Sequence, residues 1–515
     1  MSGVAEALEA ERAAPHRGLI TVSVMLAAIP QSLDTTIANV ALAHMQGTIG
    51  ATYDQASWVL TSYIVAAAIC MPLTGFLSAR FGRKRVFMWS VACFTIASML
   101  CGAAQTLTQI VLFRLLQGAF GASLIPLSQS VLLDTFPRAQ HGSAMALWGV
   151  GVMVGPILGP TLGGWLTEYY SWRWIFYINL PFGLLAWFGL ALHLRESETA
   201  TARRFDLFGF AMLALGIGAL QMMLDRGELL DWFSSTEIVV EALLASLGLY
   251  LFGAHILTHD RPFLEPALFR DRNFNVGLLF IFILGMCMLT TIALVPPFLQ
   301  NLMGYPVVDV GLMLAPRGVG SMISMLAVGR LSGRVDARLL IVSGLLLMTI
   351  SQWEMTQFDL NISRWDIVRT GMLQGIGIGL VWVPLTTTSF STLAPRYRTE
   401  GTAFFSLVRN LGMSVGISVV VALLSRNLQS NHAALAQYID PFSLALRQAV
   451  QSGVFDLGTQ EGLVALDIEL TRQAATLAYL QNFRLIMFVT LGAMPLVLLI
   501  RPRAASSTTL PVTGA

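Results

Sequence analysis

Lysine is almost missing from this chain. Of 515 residues only Lys84 is a lysine, and charged residues of all kinds make up 12%. A soluble domain usually carries about a quarter charged residues, so this shortfall excludes a water-facing surface over most of the chain. The formal net charge of +2 is too small to hold a polyanion such as nucleic acid. Cysteine is scarce too: Cys70, Cys93, Cys101 and Cys287 lie inside apolar runs and read as small core hydrophobes, with no disulfide. There is no C-x-x-C pattern, and the histidines are read as carrying no metal site. No G-x-x-x-x-G-K-[ST] run exists to cradle ATP phosphates, so any work the protein does must draw on an ion or substrate gradient. No Ser/His/Asp set recurs in a hydrophilic segment. The chain is therefore not expected to be an enzyme, and no cofactor is expected. Residues 1–17 lack an apolar stretch ahead of a small-residue cleavage site, so they read as a tail and not as a signal peptide.

Apolar residues are abundant: 55% of the chain is hydrophobic, with 29 Phe and 23 Met, and the mean hydropathy is +0.69. A helix needs roughly 20 apolar residues to cross a bilayer. The expected fold is an all-α polytopic membrane protein with helices near 18–40, 56–78, 86–104, 110–131, 142–164, 174–194, 207–224, 237–257, 275–297, 310–330, 339–356, 367–390, 402–425 and 483–500. That is fourteen spans, with twelve as the competing count. On this map twenty basic residues fall on one side and seven on the other. The richer side is the cytoplasmic one, which places both termini in the cytoplasm.

The sequence also repeats itself. GFLSARFGRKR at 75–85 resembles GRLSGRVDARL at 329–339, QGAFGASLIPLS at 117–128 resembles QGIGIGLVWVPLT at 374–386, and GSAMALWGVGVMVG at 142–155 resembles GTAFFSLVRNLGMSVG at 401–416. The order is kept and the offsets cluster near 257. Half-length repeats are the architecture of many transporters. The simplest plan is a tail at 1–17, a six-helix bundle at 18–194, a two-helix insert with flanking loops at 195–272, a second six-helix bundle at 273–500, and a tail at 501–515. The second bundle contains a long polar segment, 426–482, outside the cytoplasm.

Those segments also carry a family likeness. GFLSARFGRKR, RLLQG at 114–118, GVMVGPILGPTLGG at 151–164, LDTTIANVAL at 33–42 and DLFGFAMLALGIGALQMMLDRG at 206–227 resemble signatures of the major facilitator superfamily, and within it of the fourteen-span drug:proton antiporters. The likeness runs from about Gly18 to Arg501. It implies two six-helix bundles plus two extra helices, and proton-coupled multidrug efflux of amphipathic or hydrophobic small molecules by alternating access. For 426–482 it implies a periplasmic membrane-fusion adaptor and an outer-membrane channel as partners. One departure stands out: Ala79 occupies a position where the loop signature has an acid. Alternatives are dedicated export of one metabolite, siderophore or fatty acid, and a transport-inactive membrane sensor.

Asp34 falls in the middle of the first span. A carboxylate there is expensive unless it is paired, protonated or facing water, and burial and a neighbouring guanidinium move its proton affinity in opposite directions. Both properties suit a group that loads and releases a proton, and the resemblance ties this position to proton coupling or substrate response. Arg114 and Gln117 lie one turn apart on the fourth span and are the expected partners of Asp34, because the resemblance puts the first and fourth helices on one cavity. Arg317 and Arg409 are further cavity candidates. Gly151, Gly155, Gly159, Gly163 and Gly164 form a small-residue stripe that lets helices approach closely. Pro156 and Pro160 loosen the same helix, so the stripe is expected at a rocking interface. Gly75, Arg80, Gly82 and Arg83 in the first basic loop are expected to help clamp one conformation, and Glu400 to complement a helix dipole.

Overall fold

The computed structural model describes residues 16–196, 205–259, 262–332, 334–439, 446–448 and 458–501. Most of both expected tails, and parts of the 426–482 segment, lie outside these residues. The described residues are almost wholly helical. In chain order the helices are α1 (Arg17–Ile49), α2 (Tyr53–Cys70), α3 (Leu73–Phe81), α4 (Arg83–Ala103), α5 (Leu107–Gly121), α6 (Leu124–Thr135), α7 (His141–Tyr169), α8 (Trp174–Tyr177) and α9 (Asn179–His193). After these come α10 (Leu207–Arg226), α11 (Thr236–Thr258), α12 (Arg272–Pro297), α13 (Val307–Leu331), α14 (Ala337–Met355), α15 (Arg364–Ser391), α16 (Arg398–Ala436) and α17 (Gln460–Ala493).

Among the described residues, 12 helices are long and apolar enough to cross a membrane. The number rises to 13 when Asp54–Cys70 and Leu73–Phe81, bent by 55° at their break, are taken as one span. Pro72 lies in that break and has no N–H to continue the helix. The stretch expected as a span at 339–356 is a helix, α14, 19 residues long, but it is not among the 12. Arg338 at one end and Gln352 and Glu354 at the other hold its hydropathy below that of the others.

The 426–482 segment corrects the reading of a long loop. α16 is 39 residues long and α17 is 34, so both continue well beyond the expected spans. Their polar extensions pair with each other: Asn431 Nδ2 donates to the Ala474 carbonyl at 3.3 Å, and His432 Nε2 lies 3.1 Å from Asp467 Oδ1. Polar composition suggested loop, but residues 426–436 and 460–482 contain no proline and the helical ladder runs on.

Proline and small residues set the packing of α1 on α7. Pro156 has no N–H, which leaves the Val152 carbonyl without its intrahelical donor. Ser32 Oγ fills that vacancy from α1 at 2.6 Å, and Thr36 Oγ1 donates to the Gly155 carbonyl at 3.2 Å. A Cβ on Gly155 would meet the Ser32 carbonyl carbon at 2.5 Å, and one on Gly159 would meet Thr36 Oγ1 at 2.1 Å. Gly163 faces Ile37, while Gly164 is turned away, with Val40 Cγ1 at 4.0 Å its nearest contact. Gly151 presses only on the flexible end of Met25.

The stripe therefore grips α1 within the N-terminal half, since four-residue spacing presents one face only. The contact between the halves uses other residues of α7. Gly142 meets Ser332, Gly149 meets Met325, and Ile157 meets Gly318 of α13. A second contact joins α6 to α16, where Thr402 Oγ1 donates to the Pro126 carbonyl at 3.0 Å.

α10 and α11 pack through Gly216 and Gly248, whose added Cβ atoms would sit 2.8 and 2.6 Å from the opposing backbone. α10 also reaches both halves. Gly218 lies against Ile69 of α2, and Gln221 Nε2 donates to Ser414 Oγ of α16 at 2.8 Å. Asp206 caps α10 and accepts the N–H groups of Gly209 and Phe263 at 2.9 and 2.8 Å. Burial disfavours its charge, but those bonds and the contact with His255 outweigh burial and hold its carboxyl below the usual range.

Gly155→Leu forces α1 from α7 and is expected to lower stability by at least the 1–3 kcal/mol typical of overpacking. Gly164→Leu is expected to stay within about 0.5 kcal/mol. Thermal unfolding of the purified variants checks the contrast, and equal losses would contradict this packing.

Candidate functional site

Asp34 lies one turn beyond Pro30 on α1. Arg114 and Gln117 face it from one side of α5. Arg114 Nη1 donates to Asp34 Oδ2 at 2.5 Å and to Gln117 Oε1 at 2.9 Å, while Gln117 Nε2 donates to Asp34 Oδ1 at 3.0 Å. Arg114 Nε is held by the Val59 carbonyl of α2 at 3.0 Å. Asp34 and Arg114 are each 1% exposed, and Gln117 is 0% exposed. The guanidinium lies 4.2 Å from the Tyr63 ring centroid and 5.7 Å from that of Phe176. Gly118 makes room for this arrangement, because a Cβ there would strike the Tyr63 carbonyl oxygen at 2.3 Å.

Each Asp34 oxygen has a donor, and one positive charge answers one negative charge. An ion pair this deep is sustained only while both partners stay in place, and removal of one leaves the other uncompensated at a cost of about 3–5 kcal/mol. If α1 and α5 separate, the carboxylate must gain water or a proton. This geometry therefore makes helix position and protonation alternative ways of satisfying one group. Arginine keeps its proton under all accessible conditions.

The internal repeat is visible here in three dimensions. Thr291 and Gln374 lie 257 residues after Asp34 and Gln117 respectively, and Gln374 Nε2 donates to Thr291 Oγ1 at 2.9 Å. The position matching Arg114 is Gly371, beside which Arg317 enters from α13 with its Cβ 3.7 Å from the site a Gly371 Cβ would occupy. The C-terminal half thus keeps the amide–acceptor pair without the carboxylate. Arg317 Nη2 donates to the Met288 carbonyl at 2.9 Å. Arg409 contacts Asn410 Oδ1 at 3.3 Å and stands 5.6 Å from the Trp382 ring centroid. Among the described residues neither arginine has an ion pair, and neither is bonded to Asp34.

The basic loop is tied down by acids that sequence reading did not single out. Asp134, at the end of α6, accepts from Arg83 and also from Arg398 Nη1 of α16 at 2.5 Å, joining the two halves. A signal existed: a carboxylate in the last turn of a helix opposes the helix dipole unless it is paired. Gly82 adopts φ +86 and abuts Glu196, whose Oε1 accepts the Lys84 N–H at 3.0 Å. Gly75 lies 3.0 Å, from its would-be Cβ, against Glu400 of α16. Ala79 and Arg80 are exposed, and Arg80 rests on the Phe81 ring at 5.5 Å. His255 and His259 do stand at H-x-x-x-H spacing, with stacked rings 4.6 Å apart, but no group of three potential ligands forms among the described residues.

Arg114→Met is expected to cost about 3–5 kcal/mol when Asp34 is present and much less when Asp34→Asn accompanies it. The coupling is read from a double-mutant cycle on thermal unfolding; additive losses would mean that the two side chains do not support each other.

The geometry agrees with what the chain is similar to. A family model described as Major Facilitator Superfamily matches residues 24–417. The chain is 38% identical over 442 residues to fatty acid resistance protein FarB of Neisseria gonorrhoeae, covering 85% of this chain and 87% of that one. It is 37% identical over 446 residues to multidrug export protein EmrB of Escherichia coli strain K12, covering 85% and 86%. Among solved structures, the human organic anion transporter MFSD10 superposes with a TM-score of 0.57 over 93% of this chain and 99% of that one. At 14% identity that last likeness speaks for the fold alone. The chain belongs to the Major Facilitator Superfamily, as a multi-pass membrane protein and a secondary transporter of small molecules rather than an enzyme.

Proposed function

We propose that this protein is a proton-coupled multidrug efflux transporter of the inner membrane that exports amphipathic or hydrophobic compounds by alternating access. The observation that carries this reading is the sealed Asp34–Arg114–Gln117 centre, a carboxylate on α1 whose partners both come from α5. A proton arriving from outside neutralises Asp34 and frees Arg114. The bundles rock, the proton leaves to the cytoplasm, and the ion pair re-forms. Arg317 and Arg409 line the path in the second half. Gly155, Gly159 and Gly163 keep α1 on α7 throughout, and the Arg83–Asp134–Arg398 bridge locks one end.

The proposed topology has fourteen spans, with α14 as a full span and both termini cytoplasmic. Its division is a bundle at 18–194, an insert at 195–272 and a bundle at 273–500. α14 supports this count because Ile341, Leu345 and Met348 are buried in the same core as α15. Reporter fusions at Arg204, Glu228 and Arg270 are expected to read inside, outside, inside; one side for all three would remove the insert from this topology. The paired extensions of α16 and α17 offer a rigid surface for a periplasmic membrane-fusion adaptor that leads to an outer-membrane channel, as part of a tripartite pump.

A second reading is favoured by Arg317 and Arg409, which have no carboxylate partner among the described residues. Dedicated export of amphipathic acids would use that positive charge, and one relative is named for fatty acid resistance. Both readings face one experiment. Everted vesicles given an imposed pH gradient and a panel of cationic, neutral and anionic amphiphiles are expected to accumulate substrate uphill, and to stop when the gradient is collapsed. A broad panel supports multidrug export, and acids alone support the dedicated exporter. Accumulation that ignores the gradient would contradict proton coupling.

A further inference from the structure

The two-helix insert holds two buried ionisable groups, Arg226 and Glu241, that the transport cycle above does not use. Arg226 ends α10 and is 8% exposed. Its Nη1 donates to Glu237 Oε1 of α11 at 2.5 Å, its Nη2 lies 3.7 Å from Asp54 Oδ1 of α2, and its guanidinium carbon stands 4.7 Å from the Trp58 ring centroid. Its Nε is buried with no partner. One turn after Glu237, on the same face of α11, is Glu241. This side chain is 6% exposed, and both of its carboxyl oxygens are buried without a hydrogen-bond partner. Beside Arg226, Asp225 accepts a hydrogen bond from the buried Thr61 hydroxyl of α2.

Burial makes Glu241 the exceptional member. Asp54, Asp225 and Glu237 near the Arg226 guanidinium are exposed to water, whereas Glu241 is buried; from α16, Ser414 Oγ accepts from Gln221 of α10. In the connecting turn, Glu228 is engaged by Trp232 Nε1 at 3.1 Å. Arg226 is already committed to Glu237 and Asp54. An ionised carboxylate with two empty buried oxygens is strongly unfavourable, whereas its neutral acid is not. Taking up a proton removes the charge and with it this penalty.

We propose that Glu241 is a second proton-binding carboxyl group, housed in the insert and linked to the Asp34 centre through α2. Uptake converts the carboxylate to the neutral acid, and release returns the proton to water at that end of the insert. When Glu241 ionises, the unused Nε of Arg226 is the donor within its cluster, and Arg226 is drawn toward α11. That motion loosens its hold on Trp58 and Asp54. Trp58, Val59 and Thr61 belong to one turn of α2, and the Val59 carbonyl is the group that fixes Arg114 Nε. A change at the insert therefore alters the support of the Asp34–Arg114 pair.

The inference rests on the proton-coupled reading, and the experiment separates the two. Infrared difference spectra between acidic and alkaline buffer are recorded on the full-length protein in lipid, in the carboxylic-acid stretching region. Wild type is expected to show a component that Glu241→Gln removes and a different one that Asp34→Asn removes. Glu241→Asp is expected to move the first component without abolishing it, which answers the question if the Gln variant does not fold. Glu241→Gln is also expected to shift the titration midpoint of the Asp34 component, because Arg226 then keeps its hold on Trp58 and Asp54 at every pH. A Glu241→Gln or Glu241→Asp spectrum identical to wild type would overturn the second site, and an unshifted Asp34 midpoint in both variants would overturn the link. An Asp34→Asn spectrum identical to wild type would instead sink the proton role of Asp34 and leave Glu241 standing.

Discussion

The structure depends on one ion pair placed where ions are least welcome. Asp34 and Arg114 are sealed from water in the N-terminal half, and neither would be tolerated there alone. Their partnership constrains three helices at once. α1 must present the carboxylate, α5 must present the guanidinium and the amide, and α2 must turn the Val59 carbonyl toward Arg114. The surrounding packing serves that alignment. Ser32 and Thr36 bracket Asp34 and dock on α7 through the carbonyl groups near Pro156, so α1 and α7 move as one body. A centre that is stable only when paired, and that can be satisfied instead by one proton, has two discrete states. Transport needs such a bistable element.

The two halves share a plan but differ in chemistry. Gln374 and Thr291 repeat the geometry of Gln117 and Asp34 with a hydroxyl in place of the carboxylate. The buried ion pair belongs to the first half, and in the second half Arg317 and Arg409 have no carboxylate partner among the described residues. Under the proposed cycle this asymmetry divides the labour: the first half carries the carboxylate, and the second carries Arg317 and Arg409. The insert is more than a spacer, because α10 touches α2 through Ile69 and Thr61 and α16 through Ser414. It therefore spans the seam at which the halves move.

Much of this was legible in the sequence, for physical reasons. Membrane solvation writes span positions directly into hydropathy, so most helices fall close to their expected places. Asp34 was conspicuous because a carboxylate amid Ala, Ile and Leu has few uses. Its partners followed from the one-turn spacing of Arg114 and Gln117 together with the family likeness. The glycine stripe was recognised, but its partner was not: spacing shows that Gly155 and Gly159 share a face without showing that α1 covers it. The Asp134 bridge was missed because its members come from three distant segments, and no local pattern joins Arg83 to Arg398. The α16 and α17 extensions were read as loop because polar residues on a helix leaving the membrane look like a linker when each strand of the pair is read alone. Glu241 was missed because an acid near a helix start normally needs no explanation; only the lack of a partner for both oxygens makes it unusual.

The central claim is that Asp34 binds and releases the proton exchanged for substrate. Its most direct test is the release of protons into weakly buffered medium when a transported substrate is added to the purified protein, with no membrane gradient present. Wild type is expected to release protons on substrate binding, with a pH dependence that follows the titration of Asp34. Asp34→Asn is expected to bind substrate and release none. Proton release from Asp34→Asn equal to that of wild type would contradict the account and move the coupling site elsewhere in the protein.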